Sequence, residues 1–282
     1  MHLAGIIPVA GQALDFNMPW HDCLMPINKD YLAIERSVVE CAAAGANTIW
    51  IVCNDDMQPL IRYRLGDYAQ DPVYVNRSFE RHRSEHQRVI PIYYVPIHAR
   101  DRNKRDCLAW SVLYGAWTAS RITSALSAWL KSEKYYVSFP YGVYNPFMLR
   151  DFRKNIRADK RVVLSKEDKK VFNDEYLGFT FDHSDYLKLK EEVKAKSTGL
   201  FRDEERTSRL SIDERFSYRF FELGEVFESL DDDYETIEVE EYHNIGDWQS
   251  YTKFLSTSGD KFNRPKSIIN YKEWNGMGID EH

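Results

Sequence analysis

Residues 3–45, LAGIIPVAGQALDFNMPWHDCLMPINKDYLAIERSVVECAAAG, carry the pattern that decides the fold. The stretch begins with residues 3–9, which are apolar on both faces and predict a buried parallel strand. After a long loop, apolar residues recur at helical spacing until Gly45, a typical helix stop. Residues 47–53, NTIWIVC, predict a second buried strand. We therefore expect a strand-loop-helix-strand unit with a right-handed crossover, whose loop opens at the carboxyl end of the sheet, where ligands of such folds bind.

Patterns further along the chain extend this unit to a three-layer α/β/α domain with a mostly parallel central sheet. Residues 89–97, VIPIYYVPI, and 134–139, KYYVSF, are β-branched and aromatic and predict the third and fourth strands. Residues 107–130 give the longest helical pattern. Further helices are predicted over residues 55–65, 145–158, 184–196, 212–230 and 247–255, and further strands over residues 178–181 and 235–242. Three of these helices have a polar residue at the predicted N-cap: Asn145, Ser184 and Asp247.

The composition is that of a globular chain of 33.3 kDa. Its net charge of -6 argues against nonspecific binding of nucleic acid, which requires a basic face. The four cysteines have no CxxC spacing and are expected to be reduced packing residues. The sequence shows neither a signal peptide nor an apolar run of about 18 residues. These features predict a cytoplasmic protein that does not bind membranes.

Several segments resemble the sugar-phosphate nucleotidyltransferases. Four of them match the opening of that family: residues 5–11, GIIPVAG; 24–27, LMPI; 42–45, AAAG; and 48–54, TIWIVCN. A later segment, residues 242–251, YHNIGDWQSY, is similar to the family's late D-I-G-T-W-x-x-Y motif. The resemblance implies a nucleotide-diphospho-sugar transferase-like, Rossmann-like fold. It also implies a nucleotide or nucleotide sugar as the ligand, and Mg2+ as the cofactor of an active enzyme.

The resemblance suggests how the chain is divided. Residues 1–158 correspond to a nucleotide-binding-like α/β half. Residues 159–258 correspond to a helical, charged insertion and to the closing strand-helix segment of the same domain. Residues 259–282 have no strong period, and we expect an extended C-terminal tail. This tail either packs over the domain or binds a protein partner or a second copy of the chain.

The resemblance places the nucleotide at the carboxyl ends of the strands. The small-residue loop after the first strand can offer backbone N–H groups to phosphate whatever its side chains are. His98 stands where the matching strand of the family often ends in a base-recognising residue, and Tyr141 follows the fourth strand. The nucleotide-binding residues expected on this ground are Val9, Ala10, Gly11, Gln12, His98 and Tyr141.

Several residues that act on the triphosphate in the family are different in this chain. Asp15 stands where the family has an arginine and Asp22 where it has a lysine. An aspartate repels phosphate, whereas a cation binds it through strong charge-assisted hydrogen bonds. Arg105 replaces the glycine that lets the base approach. The fourth strand ends in FPY, residues 139–141, without the acid that holds magnesium in the family.

The late motif supplies the remaining metal candidates. The family's second metal ligand falls on Asn244, which is neutral. Asp247 is close by in the sequence and is the other candidate ligand, although the N-cap of the following helix is an alternative role for it. Asn244 and Asp247 are therefore the predicted metal residues.

Two functions remain open at this point. In a divergent nucleotidyltransferase or a related transferase, the cations have moved, and Lys29 and Arg105 supply the catalytic charge neutralisation. Residues 77–88, rich in arginine, then form a basic flap rather than a solvated loop. Alternatively, the protein is catalytically inactive and uses the fold for binding or structural assembly. Nucleotide binding and its dependence on magnesium separate these two functions.

Overall fold

The computed structural model describes residues 2–11, 18, 20–75, 88–98, 101, 107–126, 132–199, 221–265 and 268–269. The strands are β1 (His2–Pro8), β2 (Pro26–Asn28), β3 (Tyr31–Leu32), β4 (Thr48–Cys53), β5 (Tyr68–Gln70), β6 (Val89–Pro96), β7 (Ser132–Val137), β8 (Gly142–Val143), β9 (Arg161–Ser165), β10 (Phe179–Asp182), β11 (Tyr234–Glu238) and β12 (His243–Asn244). The α-helices are α1 (Ala33–Ala44), α2 (Gln58–Leu65), α3 (Pro72–Val75), α4 (Leu108–Leu126), α5 (Arg153–Arg157), α6 (His183–Gly199), α7 (Leu223–Phe227) and α8 (Trp248–Thr257). Short 3-10 helices cover Asp22–Leu24, Pro146–Arg150, Val171–Asn173, Glu228–Leu230 and Gly259–Lys261.

The four strands predicted for the central sheet do meet in one sheet. Its eight strands lie in the order β11-β9-β10-β7-β1-β4-β6-β5. β1 is parallel to both β4 and β7, and β4 is parallel to β6. β11 is parallel to β9, whereas β10 and β5 are antiparallel to the strands they pair with. The prediction of a mostly parallel sheet in which the first two buried strands are adjacent is confirmed. The carboxyl ends of the parallel strands therefore meet at one edge.

Helices cover both faces of the sheet. Leu3 and Ile7 of β1 pack in a buried cluster on the side of α1. Ala4 and Ile6 point to the opposite face, where they pack with residues of α4. This alternation is the two-residue period of a strand, and both sides are apolar because both are covered. The three-layer α/β/α prediction is thus confirmed. Within the described ranges, none of the helices has the length and apolarity needed to cross a bilayer.

The helix predicted over residues 145–158 is two short pieces in the structure. The first is the 3-10 turn Pro146–Arg150, and the second is α5. Asn145 caps the first piece as predicted, since its Oδ1 accepts from the amide of Phe147 at 3.1 Å. A 3-10 turn rarely continues for more than a few residues, so the chain breaks before the next piece begins.

Two helix caps test the sequence expectations further. Asp247 caps α8 as predicted, because its Oδ1 accepts from the amide of Ser250 at 2.9 Å. The cap of α6 is Asp182 rather than Ser184. The Oδ1 of Asp182 accepts from the amides of Ser184 at 2.7 Å and Asp185 at 2.9 Å. A carboxylate two residues earlier therefore takes the role that was expected of the hydroxyl.

Some strands were not predicted, and others have different limits. β9 and the paired strands β2–β3 and β8–β12 had no strong local pattern. The strand predicted over residues 235–242 ends at Glu238, and as β11 it lies at the edge of the sheet. Only residues 221–230 of the helix predicted over 212–230 are described, and they contain α7 followed by a 3-10 turn.

The described part of the predicted C-terminal tail packs on its own domain. Phe262 joins a buried cluster beside α8. Arg264 Nη2 lies 3.2 Å from a carboxylate oxygen of Glu35, whose side chain is fully buried. Ile269 forms an antiparallel bridge with β5. These contacts favour packing over the domain for this part of the tail, and a protein partner bound through it stays a prediction.

The buried Lys134 on β7 gives a first testable prediction. Its side chain is 2% exposed, and its Nζ donates to the carbonyl oxygens of Ala158 and Lys160, the latter at 2.6 Å. Burial lowers the pKa of Lys134 from 10.5 to about 8. Between these values the unfolded chain binds more protons than the folded chain. The free energy of unfolding that depends on this group therefore increases as the pH rises from about 8 to 10.5. It decreases again when the pH falls through the same range.

The test compares the protein with a Lys134→Met variant. We expect the difference between their free energies of unfolding, protein minus variant, to increase between about pH 8 and pH 10. Denaturant titrations of both proteins across this range measure the difference. The subtraction removes the titration of tyrosines and cysteines that the two proteins share. A difference that stays flat, or that falls as the pH rises, would contradict the lowered pKa.

Candidate functional site

The loop after β1 begins at the carboxyl edge of the sheet and is held there by hydrogen bonds. The amides of Val9 and Ala10 both donate to the carbonyl of Val52 on β4, each at 2.8 Å. The hydroxyl of Ser111 on α4 donates to the carbonyl of Ala10. These bonds fix the start of the loop between β4 and α4. They also occupy the amides of Val9 and Ala10, so these two N–H groups are not available to a phosphate.

Gly11 brings the loop against the beginning of α4. Its φ of 145° is strained for residues with a side chain. A Cβ at this position would lie 2.8 Å from the backbone nitrogen of Leu108 and 2.9 Å from the carbonyl carbon of Cys107. Only glycine permits this approach. Gly11 therefore lies beside the N-terminus of a 19-residue helix, where the partial positive charge of the backbone favours an anion.

His98 follows β6 at the same edge of the sheet, and its side chain is exposed. A hydrogen bond joins the Tyr114 hydroxyl on α4 to the backbone of His98. His98 also lines a cavity between α4 and α6. Because β1 and β6 are parallel members of one sheet, the fold brings the loop after β1 and His98 to the same edge, in the arrangement expected from the sequence.

Tyr141 differs from the other predicted nucleotide contacts because its ring lies in the core. The side chain is 1% exposed. Its ring packs edge-on against Tyr176, with ring centroids 5.3 Å apart, in a cluster that also contains Met25 and Phe254. Burial raises the pKa of the Tyr141 hydroxyl well above its usual range. The ring is therefore not presented to a ligand at the sheet edge.

Tyr176 packs against the residues that follow β7, among them Phe139 and Tyr141, which we call the corner after β7. Its ring centroid lies 6.0 Å from that of Phe139 and 5.3 Å from that of Tyr141. A Cβ on Gly142 would lie 1.8 Å from the carbonyl oxygen of Tyr176, and a Cβ on Gly246 would lie 2.7 Å from its ring. The two glycines thus let the backbone and the ring of this tyrosine rest directly on the β8–β12 pair.

Both predicted metal residues have other partners. Asn244 Oδ1 accepts from the amide of Gly246 at 2.8 Å, and its Nδ2 donates to Glu175 Oε2 at 2.9 Å. Asp247 caps α8 through the amide of Ser250. Across the described ranges, no group of three or more His, Cys, Asp or Glu side chains is arranged to hold a metal. Asn244 and Asp247 are thus engaged in contacts within the protein, and magnesium binding by these two residues stays a prediction.

A buried ion pair that the sequence patterns did not predict supports this corner from α1. The side chains of Arg36 and Glu40 are 0% exposed and lie 2.8 Å apart. Arg36 Nη2 donates to the carbonyl of Phe139 at 2.7 Å. Glu40 accepts from the hydroxyls of Ser138 and Tyr136, both at 2.6 Å. The available sequence signal was the i, i+4 spacing of opposite charges, which usually marks an exposed helix face.

Of the two predicted catalytic cations, Lys29 and Arg105, only Lys29 lies among the described residues. Lys29 lies in the exposed turn between β2 and β3, a separate two-stranded sheet. The Asn28 side chain accepts from the amide of Lys29 at 2.6 Å and donates to the carbonyl of Phe262 at 2.9 Å. The hairpin is thus tied to the C-terminal segment. Arg105 and Gln12 lie outside the described residues, and their roles stay predictions.

Solved structures share this fold over nearly the whole chain. A Bacillus anthracis protein assigned as a glucose-1-phosphate thymidylyltransferase, solved with sucrose, has a TM-score of 0.57 at 11% identity, covering 94% of this chain and 98% of that one. A UDP-glucose pyrophosphorylase solved with UDP-glucose has a TM-score of 0.55 at 13% identity, covering 93% and 100%. A nucleoside-diphosphate-sugar pyrophosphorylase from Vibrio cholerae RC9 has a TM-score of 0.51 at 15% identity, covering 90% and 100%.

Comparisons of sequence alone add nothing to these structural similarities. No family model matches the chain, and no curated protein matches it. At identities of 11% to 15%, a structural likeness shows the fold and leaves the activity to be argued from the site. The eight-stranded, mostly parallel sheet with helices on both faces and the structural matches agree on one conclusion. The chain has the nucleotide-diphospho-sugar transferase-like fold.

Proposed function

We propose that the protein binds a nucleotide or a nucleotide sugar at the carboxyl edge of the sheet, without magnesium-dependent nucleotidyl transfer. The observation that carries this proposal is the filling of the corner after β7 by Phe139, Tyr141 and Tyr176. Transfer to or from a triphosphate depends on neutralising its charge with metal ions and cations. Three aromatic rings provide neither carboxylate oxygens for a metal nor positive charge.

The other half of the edge is suited to phosphate. The loop after β1 lies against the N-terminus of α4 because Gly11 permits a close approach to Leu108. Helix N-termini bind anions through backbone N–H groups and the helix dipole. His98 adds an exposed imidazole after β6, and a ring nitrogen of this kind can donate a hydrogen bond. The UDP-glucose pyrophosphorylase of the same fold was solved with a nucleotide sugar, which supports this class of ligand.

Calorimetric titration with UTP, dTTP and UDP-glucose, each with and without Mg2+, tests the proposal. We expect at least one of these compounds to bind, with an affinity that does not depend on the metal, because Phe139, Tyr141 and Tyr176 offer it no carboxylate. A parallel assay should detect no pyrophosphate release from UTP and a sugar 1-phosphate. Magnesium-dependent release would overturn the loss of transfer activity. Failure of all three compounds to bind would overturn nucleotide binding and leave assembly as the function to test.

Single substitutions show whether relocated cations hold the phosphate. If they do, Lys29→Ala and Arg105→Ala each weaken nucleotide binding by about 1.5–3 kcal/mol, the usual contribution of a hydrogen bond to a charged group. In that case Asp15→Ala has little effect. Lys253→Ala, on an exposed position of α8, is the matched control for the loss of one positive charge. If Asp15 instead repels phosphate, Asp15→Ala strengthens binding and the two cation variants match the control.

A further inference from the structure

A cavity of about 320 Å³ lies between α4 and α6. Trp110, Tyr114 and Trp117 line it from α4, where their spacings of four and three residues place them on one helix face. Tyr186 and Lys190 line it from α6 and are likewise four residues apart. The two helices pack against each other, so the cavity is a groove between them. Its volume is at the lower end of the range for small-molecule sites.

The walls of the groove are mainly aromatic. Trp110 is 6% exposed, whereas Tyr114 and Trp117 are half-buried. The rings of Tyr114 and Trp117 have centroids 5.5 Å apart and are tilted by 47°, so they present two differently oriented flat surfaces. Aromatic side chains of this kind stack on planar rings or meet them edge to face. The groove therefore favours a flat aromatic ligand over a branched aliphatic one.

The hydroxyl of Tyr186 is a polar group for which the described residues provide no hydrogen-bond partner. Its side chain is 2% exposed and lines the groove. Burial raises the pKa of Tyr186 to about 12, so the hydroxyl keeps its proton at neutral pH. Buried hydroxyls are nearly always hydrogen-bonded, because an unsatisfied one is unfavourable. A ligand that presents an acceptor oxygen at this point would satisfy the hydroxyl.

Two lysines of α6 give the groove positive charge. Lys190 Nζ lies 5.3 Å from the centre of the Tyr186 ring, so the ammonium group and the hydroxyl belong to the same side of the groove. Lys194, one turn further along, also lines it. Asp101 is the one carboxylate among the described lining residues, and its amide is bonded to the carbonyl of His98 at 2.8 Å. An anionic group is therefore favoured beside Lys190 and away from Asp101.

We infer that this groove is a second ligand site, which binds a planar aromatic ring carrying one anionic group. The ring stacks on the aromatic wall of α4, and the anionic group accepts from the Tyr186 hydroxyl and from Lys190. An aromatic carboxylate and a nucleoside monophosphate share this chemistry. The groove lies between two helices, whereas the proposed nucleotide site lies at the ends of the strands. His98 lines the groove and also belongs to the proposed nucleotide site, so the two sites adjoin. Residues of α6 line only the groove, and variants of this helix therefore test it separately.

Calorimetry with indole-3-acetate and UMP as probes tests this site. Each probe has a neutral counterpart of similar shape, indole-3-acetamide and uridine. We expect one of the anionic probes to bind and its neutral counterpart to bind roughly tenfold more weakly, since a hydrogen bond to a charged group contributes about that much. The probe that binds identifies the source of the ligand. Equal affinity for the charged and neutral forms, or no binding of either anionic probe, would overturn the assignment.

Variants of α6 locate the binding. Lys190→Met and Tyr186→Phe are each expected to weaken the bound probe by about fivefold or more. Lys188→Met removes the same charge from an exposed position on the same helix and should leave the affinity unchanged. Near-ultraviolet circular dichroism checks that the variants are folded. Unchanged binding in both groove variants would overturn the site. If Lys190→Met also lost UDP-glucose binding, the groove would not be a site distinct from the one at the strand ends.

Discussion

Arg36→Met is expected to lower the free energy of unfolding by about 3–5 kcal/mol, because it leaves a buried carboxylate without its cation. Arg36 and Glu40 lie on consecutive turns of α1, with their charged atoms 2.8 Å apart and both side chains 0% exposed. In the variant, the Glu40 carboxylate has neither water nor an opposite charge beside it. Hydroxyl donors such as Ser138 remain, but they do not neutralise the charge. The loss should therefore greatly exceed that of an exposed ion pair.

Arg62→Met is the matched control for this substitution. Arg62 also pairs with a carboxylate at 2.8 Å, that of Asp67, but the two side chains are 56% and 62% exposed. Exposed ion pairs contribute about 0–1 kcal/mol, since water solvates both charges when the pair is broken. Urea denaturation followed by circular dichroism measures both variants. Equal losses of stability would contradict the burial of the Arg36–Glu40 pair.

Gly142→Ala is expected to lower the free energy of unfolding by about 3 kcal/mol, because the added methyl group overlaps the backbone of another segment. The new Cβ would lie 1.8 Å from the carbonyl oxygen of Tyr176. A carbonyl oxygen cannot rotate away as a side chain can. Gly142 also pairs with Asn244 across β8 and β12, so β8 cannot move without disturbing that pair. The packing of Tyr176 in the corner after β7 would then be lost.

Gly259→Ala is the control for this second substitution. A Cβ on Gly259 would meet its nearest atoms, in Ile27, Leu255 and Phe254, at 3.4, 3.7 and 4.0 Å, which are ordinary contacts. Replacing a glycine where there is room changes stability by less than about 1 kcal/mol, with part of the effect arising in the unfolded chain. Thermal and urea unfolding of both variants give the comparison. If Gly142→Ala were as stable as Gly259→Ala, the expectation would be wrong. The backbone around Tyr176 would then be able to move away from the added methyl group.

The central strands could be predicted from local sequence because their environment imposes a local pattern. β1 and β4 are covered on both faces, so nearly all of their positions are apolar, as residues 3–9 and 49–53 show directly. The end of α1 was predictable for a similar reason. Gly45 has a φ of 89°, which residues with a side chain rarely adopt.

The small strands could not be predicted in this way. β8 contains two residues, and its strand conformation comes from pairing with β12, about 100 residues later, where Val143 meets His243. β9 has five residues and lies in a charged part of the chain. Pairing between distant segments is set by tertiary structure, and short strands carry little periodic signal.

The sequence predicted where the candidate site lies in the fold, but it did not predict which side chains pack around the site. The rule that ligands bind at the carboxyl ends of parallel strands placed the loop after β1 and His98 at one edge. The sequence also showed that no acid follows β7. It did not show that Tyr176, from a different part of the chain, buries Tyr141, or that Arg36 and Glu40 are buried behind the same corner. These contacts arise only when segments far apart in the sequence pack together.

Residues 268–269 cover the outer edge of β5, which is an edge strand of the central sheet. β5 is the last strand in the sheet order, and an open edge strand offers unpaired backbone groups to a neighbouring chain. The amide of Gln70 donates to the carbonyl of Ile268 at 2.7 Å, and Ala69 bridges Ile269. The C-terminal segment thus occupies backbone groups that would otherwise pair with a second copy. A chain shortened before this point would leave these backbone groups of β5 open to pairing with another strand.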